Sequence, residues 1–586
     1  MNPFERVRAF TKRLFIWQSS KVQTSSPTTI PLNDPATGST PQAIPVLESC
    51  SESLSPKDMG SPRSSSRHKL HANPLRHILR IFGQSKHDSA VLVDAHKVSQ
   101  DINLPYSCED VDQYSDDGEP DDEDEDDRRN FKAIRDISRK EVEEFVLETL
   151  YPGQDLNRRT CHVTKRKEGS FHHVVFVHVN IGDKLEQQYV LKIPAHGTPE
   201  QWEDADGFML RNEAVLMQHI RHHTQCPVPE VVAFDDSVDN ALAAPFILMK
   251  EMPGSSALDF WFGKTFKDLP NGEQYLEADV PSPELEQKRV RFLTSLAQAM
   301  SQLQTLEFKR IGVPVFDKPE DEVPKKVGPV WRWHSKNRMQ QLQRIGPYPS
   351  EGFFYHYGMN AVWNLSEIED RDPNHPGVLE FKGIRQILSM ILYSPPFVEP
   401  AQTPATGDNT DLPVVRKKTF VLRHDDLNLQ NILVDDDGNV TGLIDWDGCM
   451  SVPRCVGYSS LPTFLRGDWL DDHTMAKSPY MTWSLDHYRS VYATAMTEAC
   501  QTDNGSPSDA QYTKKSAMYQ ALLAVFYEDE DCRQVIGKLL AEIEEFRRVD
   551  VKQFCIRLGK GWPAAEKVLK EKLAELLAPE VLECVG

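Results

Sequence analysis

Asn431-Ile-Leu-Val-Asp-Asp-Asp-Gly-Asn-Val-Thr-Gly-Leu-Ile-Asp445, preceded by Arg423-His-Asp-Asp-Leu-Asn428, is the stretch that decides the fold of this chain. Two apolar runs, Ile432 to Val434 and Val440 to Ile444, flank an Asp-Asp-Asp-Gly-Asn turn. Asp-Gly between such runs predicts a β-hairpin. A hairpin returns the chain on itself, so Asn431 entering the first strand and Asp445 leaving the second end side by side. Asp426, just upstream, is delivered to the same place. Carboxylate and amide oxygens converging at the open end of a hairpin suit Mg²⁺, which takes few protein ligands and leaves room for phosphate oxygens. The arrangement points to phosphoryl transfer. Asp426 is the candidate catalytic base, positioned for an acceptor hydroxyl. Asn431 and Asp445 are the candidate metal ligands. Asp447 either adds a second carboxylate to the metal or fixes the loop. His424 belongs to this catalytic loop and orders it through backbone hydrogen bonds more than it moves protons. Asp425 is an extra acid beside the base.

Working outward, Lys192 lies inside the apolar run Tyr189-Val-Leu-Lys-Ile193. A charge in an apolar strand is costly unless paired. Met209, Glu213, Leu216, Met217 and Ile220 recur at helical period. Glu213 therefore lies on the inward face of its helix, where a carboxylate needs a cation. The two are expected to pair and to hold the ammonium against nucleotide phosphates; a purely structural ion pair is the alternative. Gly169 and Ser170, at the turn that opens the first strand, can expose backbone N–H groups to phosphate. His172 and His173 beside them are either surface turn residues or phosphate contacts.

The strands Phe171 to Val179, Gln187 to Ile193 and Pro245 to Met249 enclose the helix Gly207 to His222. Ser138 with Glu141 forms a capping box before an earlier helix. From Leu258 the pattern turns helical, with Leu293, Leu296, Met300, Leu303 and Leu306 on one stripe. A loop-rich aromatic segment, Val313 to Pro413, follows; its Trp331-Arg-Trp-His334 and Phe353-Phe-Tyr-His-Tyr357 clusters either shape an acceptor site or pack a core. After Asp447 the chain is helical through Asp486 to Ala499, Asp509 to Phe526, Gln534 to Phe546 and Ala564 to Leu577.

Residues 1–130 read as a disordered Ser/Pro-rich and acidic region. Ser26, Thr40, Ser55 and Ser61 each precede proline, as proline-directed phosphorylation requires. The run Asp116 to Asp127 is a solvated acidic tail or a mimic that occupies a basic groove. A net charge of −22 over 586 residues argues against a nucleic-acid backbone as partner. Ten cysteines without a CxxC pair read as free thiols of a reducing compartment. No stretch approaches the ~18 apolar residues of a membrane span. Met1 to Lys21 mixes arginines and lysines with Phe, Leu and Trp, so a mitochondrial leader stands as the alternative to a cytoplasmic location.

His424-x-Asp426-x4-Asn431 followed by Ile444-Asp-Trp-Asp447 resembles the aminoglycoside phosphotransferase family within the protein-kinase-like fold. Cys226-Pro-Val-Pro-Glu-Val and Pro245-Phe-Ile-Leu-Met-Lys-Glu-Met-Pro-Gly254 are similar to its fungal-type members. The resemblance implies an α+β, two-lobed fold: a small β-rich N-lobe over 131–255, and a large helical C-lobe over 256–586 that contains the 313–413 insert. It implies ATP in the cleft, with Lys192 and Glu213 at the nucleotide and the backbone of Lys250, Glu251 and Met252 at the adenine. Trp446 stands where protein kinases carry the Phe of Asp-Phe-Gly, and no Ala-Pro-Glu motif is present, which disfavours a protein substrate. The expected function is Mg-ATP-dependent phosphorylation of a small-molecule hydroxyl. A pseudokinase or nucleotide-binding scaffold is the alternative, ahead of a protein kinase.

Overall fold

The computed structural model of the chain describes residues 130–580 apart from 156, 158, 183, 264–279, 337–338, 399–418, 470–483, 501–507 and 528–531. All of these fall in one unit; a second, Ser19–His87, lies outside the described residues. So do the expected disordered region, its phosphorylation motifs, the acidic run and the basic first segment.

Five strands, β1 (Arg159–Glu168), β2 (His172–Ile181), β3 (Lys184–Pro194), β4 (Val231–Asp235) and β5 (Phe246–Lys250), form a sheet in the order β1-β2-β3-β5-β4. Every neighbouring pair is antiparallel. Side chains alternate between the two faces of such a sheet. On one face Val175, Val177 and Val179 bury with Val163, Leu191, Ile193 and Leu248 beneath helix α1 (Arg139–Leu150), which contributes Val142, Phe145 and Val146. The capping box expected at the start of α1 is present: Glu141 N–H donates to Ser138 Oγ at 3.2 Å and Ser138 N–H donates to Glu141 Oε2 at 2.7 Å. On the other face Lys192 turns toward helix α2 (Asp204–His223), whose buried stripe includes Glu213, Leu216, Met217 and Ile220.

The chain leaves the sheet through Glu251–Gly254 and enters β6 (Ser255–Ser256), α3 (Ala257–Phe262) and α4 (Pro283–Ser301). After β7 (Glu307–Phe308) comes the insert, and it corrects the loop-rich expectation. It holds two hairpins, β8–β9 (Val313–Val315 with Lys326–Gly328) and β10–β11 (Val330–Lys336 with Met339–Ile345), and two helices, α5 (Glu351–Val362) and α6 (Pro376–Leu392). Helix α5 escapes a periodicity reading because Phe353, Phe354, Tyr355, Tyr357 and Met359 spread around it rather than along one stripe.

Next, β12 (Phe420–Arg423) sits in a three-stranded sheet between β7 and a later strand, and β13 (Ile432–Val434) pairs with β14 (Val440–Leu443) as predicted. The third strand beside β12 is β15 (Met450–Val452), and β13 also pairs with β6. The helices α7 (Leu485–Ala499), α8 (Ser516–Tyr527), α9 (Cys532–Glu542), α10 (Val551–Gly559) and α11 (Pro563–Leu577) complete the described chain. Of these, α10 is a helix that the sequence reading lacked. It presses on α6 through two glycines: a Cβ at Gly383 would lie 1.9 Å from Cys555 O, and one at Gly559 would lie 1.9 Å from Leu379 O. The fold is α+β and protein-kinase-like, with a small β-rich lobe and a larger helical one. Among the described residues, no helix is long and apolar enough to cross a membrane.

Candidate active site

The β13–β14 hairpin is fixed by its turn. Asp435 Oδ1 accepts from the N–H groups of Asp437 at 3.0 Å and Asn439 at 2.8 Å, so the first Asp of the triplet closes the loop around Gly438, whose φ is +92°. Register then pairs Ile432 with Leu443 and Leu433 with Gly442. At the open end Ile444 N–H donates to Asn431 O at 2.9 Å, which brings Asn431 beside Asp445. Asp445 has φ +65°, a left-handed conformation that is uncommon for a residue with a Cβ.

Asp426 and Asn431 are joined directly. The Asn431 amide nitrogen donates to Asp426 O at 2.9 Å and to Asp426 Oδ2 at 3.1 Å, and both side chains are buried. Asn428 N–H donates to Asp426 O at 2.9 Å and tightens the same loop. From the opposite lobe comes Lys192. Its Nζ donates to Glu213 Oε1 at 2.6 Å and to Asp445 Oδ1 at 3.0 Å. One ammonium thus ties the sheet, the inward carboxylate of α2 and the end of the hairpin together. Burial opposes its charge, but Glu213, Asp445 and Asp447 outweigh burial and hold Lys192 protonated above its ordinary range. Burial pushes Glu213 up to about 7 against the pull of Lys192, with Asp447 and Asp445 adding to the rise.

His424 is buried, and its Nε2 lies 3.1 Å from Ile444 O. Its ring meets Trp446 edge-on at 4.7 Å. Burial pushes His424 down to about 4, so it stands neutral and anchors the loop against the hairpin. Trp446 is itself locked by its indole N–H donating to Leu443 O at 2.8 Å.

Two readings of the nucleotide end need correction. Gly169 N–H donates to His172 O at 3.0 Å and closes the β1–β2 turn, so this amide is not presented to a phosphate. Ser170 sits within that turn. His173 is neither at the surface nor a phosphate contact: it is buried, with Nδ1 2.9 Å from Glu168 Oε1. Arg135 also grips Glu168, donating from Nη2 at 2.8 Å. Burial opposes the Glu168 charge, yet His173 and Arg135 pull its carboxyl down to about 2. In the linker, Lys250 N–H donates to Glu230 O at 2.9 Å and Glu251 N–H to Gln188 O at 3.0 Å. The amides of Lys250 and Glu251 are therefore used within the protein, and that of Met252 lies outside these two bonds. The linker also packs on the catalytic hairpin, since Gly254 at φ +103° leaves no room for a Cβ, which would lie 2.6 Å from Val434 O.

The support behind the Arg423–Asn428 loop was not visible in the sequence. Thr463 N–H donates to Leu427 O at 2.9 Å. Arg423, Ser460, Thr463 and Arg466 line a cavity of about 20 Å³ together with His424 and Asp425. Burial and the neighbouring Arg423 lower Arg466 to about 9, against the attraction of Asp426 and Asp425. A lone arginine inside Phe464-Leu-Arg-Gly467 was the available signal, but its partners lie some forty residues earlier. The cysteines described are buried.

A strand lysine paired with a helix glutamate, facing an Asp-Asn-Asp hairpin across a linker, is the arrangement expected of the protein-kinase-like fold. Residues 172–456 match the phosphotransferase enzyme family, APH. It is 22% identical over 346 residues to a subtelomeric hrmA-associated cluster protein of Aspergillus fumigatus, a match covering 52% of this chain and 61% of the relative. It is 31% identical over 162 residues to clavilactone A biosynthesis cluster protein Y of Ampulloclitocybe clavipes, covering 26% of this chain and 32% of that one. The chain thus spans less than two thirds of these relatives. Among solved structures, aminoglycoside phosphotransferase APH(4)-Ia matches at 14% identity and a TM-score of 0.33, over 72% of this chain and 99% of that one. Plasmodium vivax ethanolamine kinase matches at 11% identity and a TM-score of 0.29, over 71% and 87%.

Proposed function

We propose that this protein transfers the γ-phosphoryl group of Mg-ATP to a hydroxyl of a small molecule. The observation that carries the reading is the double engagement of Lys192, which bonds Glu213 and Asp445 from two lobes at once. Lys192 would hold nucleotide phosphates, oriented by Glu213. Asp426 would accept the proton of the acceptor hydroxyl as the new O–P bond forms and the bond to the β-phosphate oxygen breaks, releasing ADP. Asn431 fixes the Asp426 carboxylate through its amide nitrogen, which leaves the amide oxygen as a ligand atom. That oxygen and the carboxylates of Asp445 and Asp447 form a hard donor set that suits Mg²⁺. When bound, Mg²⁺ neutralises phosphate charge. The family match supports phosphotransfer; the name of the Ampulloclitocybe relative accords with an acceptor from small-molecule biosynthesis.

Asp426→Asn tests the base. Its side chain is nearly isosteric, so folding and nucleotide binding should survive while turnover falls by about 10²-fold or more. The reaction is read by mass spectrometry of a metabolite pool incubated with enzyme, Mg²⁺ and ATP, looking for a metabolite that gains a phosphate. Single-turnover rates equal to wild type would remove Asp426 from this role.

A further inference from the structure

The β8–β9 hairpin of the insert leaves the C-lobe and lies along the outside of α2, the helix that carries Glu213 in the N-lobe. Its root is tied to the catalytic sheet. Gly312 N–H donates to Ser451 O at 3.1 Å, and Ser451 N–H donates to Gly312 O at 2.8 Å. Ser451 lies on β15 opposite Leu422, in the strand that runs into the catalytic loop. Ile311 and Tyr348 exchange two further bonds of 2.9 Å. The hairpin touches α2 at two points, one toward its tip and one at its root. His219 is buried, stacks on Phe316 with ring centroids 3.8 Å apart, and has Nδ1 3.0 Å from Pro319 O. Phe208 closes on Gly328 so tightly that a Cβ there would lie 2.8 Å from the ring.

Helical geometry gives these contacts meaning. At about 100° per residue, Phe208 and His219 fall within about 20° of each other on the helix circumference, and Glu213 is displaced from both by about 120–140°. One contact precedes Glu213 along the axis and the other follows it. A roll or outward swing of α2 must break at least one of them, and either motion would withdraw Glu213 from Lys192.

We propose that the β8–β9 hairpin is a strap that positions Glu213, with Phe316 and Gly328 acting on it through His219 and Phe208. This rests on the phosphotransferase reading, because the use of a fixed Glu213 is to hold Lys192 for nucleotide. The strap makes the Lys192–Glu213 pair a standing feature, coupled through Ser451 to the strands that carry the catalytic and metal-binding residues. Phe316 and Gly328 are positioning residues.

Gly328→Leu is the direct test. Position 328 has no positive φ, so the added side chain meets Phe208 rather than a backbone restriction. Two readouts are taken on the full chain: hydrogen exchange of the α2 amides, and ATP affinity by titration calorimetry with Mg²⁺. Gly328→Leu should speed exchange in α2 and weaken ATP binding by about tenfold, and Phe208→Ala in the same chain should restore both by making room. Should Gly328→Leu not fold, Phe316→Ala is read the same way, with the same loss expected. Wild-type exchange and affinity in the folded single variant, or a double variant no better than Gly328→Leu, would overturn the strap. If the wild type binds no nucleotide, the phosphotransferase reading fails, while exchange in α2 still decides the strap.

Discussion

At the scale of single residues, the site is a set of buried charges that satisfy one another. Lys192 was legible because a lysine within Tyr189-Val-Leu-Lys-Ile193 has no cheap explanation, and Glu213 because helical period alone turns it inward. Asp426, Asn431 and Asp445 were legible because one local hairpin gathers them. His219 and Arg466 were not. Their partners, Phe316 and the Arg423–Asn428 loop, are brought to them by long-range packing, and no local pattern says what those partners are. Buried histidines also give the protein a pH dependence. Burial lowers both His219 and His424 to about 4 from an ordinary value near 6.5. A depressed histidine contributes stability that is complete above its unfolded value and is lost as pH falls toward the folded one, because the unfolded chain takes up the proton first. Each should therefore subtract about 2 kcal/mol of unfolding free energy between pH 7 and pH 5. Urea titrations at the two pH values measure the drop, and a His219→Leu chain should show a drop smaller by about that amount. Parallel pH curves for the two proteins would contradict the assignment.

At the scale of elements, alternation and capping carried the reading as far as they apply. The hairpin of β13 and β14, the apolar run of β2 and the capping box of α1 each announce themselves within a dozen residues. The failures share a cause. β1 reads Arg-Thr-Cys-His-Val-Thr-Lys-Arg-Lys-Glu, with Cys161 and Val163 as its buried residues, so its pairing with β2 defines it more than its own pattern does. The insert hid α5 behind a wrap of aromatics. Helix α10 is short, and its seat on α6 depends on Gly383 and Gly559, whose role appears once both helices are in place. That contact is testable. A methyl at Gly383 meets the Cys555 carbonyl, which is backbone and cannot rotate away, so Gly383→Ala should destabilise by about 3 kcal/mol, the upper end for overpacking. Chemical denaturation reads it directly, and an unchanged midpoint would show that the helices part at little cost.

At the scale of the whole molecule, several connections among the described residues join the two lobes, including Leu443 N–H donating to Pro227 O at 2.7 Å. The linker Glu251–Gly254 is pinned to the hairpin at Gly254. The ammonium of Lys192 reaches Asp445. The β8–β9 strap binds α2 from behind. The lobed architecture was legible from the order of strands and helices together with the family resemblance, whereas the strap was not, because it arises inside a segment that read as loop. The central claim is that Lys192, Glu213, Asp426, Asn431 and Asp445 form one Mg-nucleotide centre. The measurement that bears on it most directly is a calorimetric titration of ATP into the full chain with and without Mg²⁺, for wild type and Asp445→Ala. One site per chain that requires Mg²⁺ in the wild type and is lost in Asp445→Ala is the predicted result. Binding of equal strength with and without the metal, or binding untouched by Asp445→Ala, would contradict it.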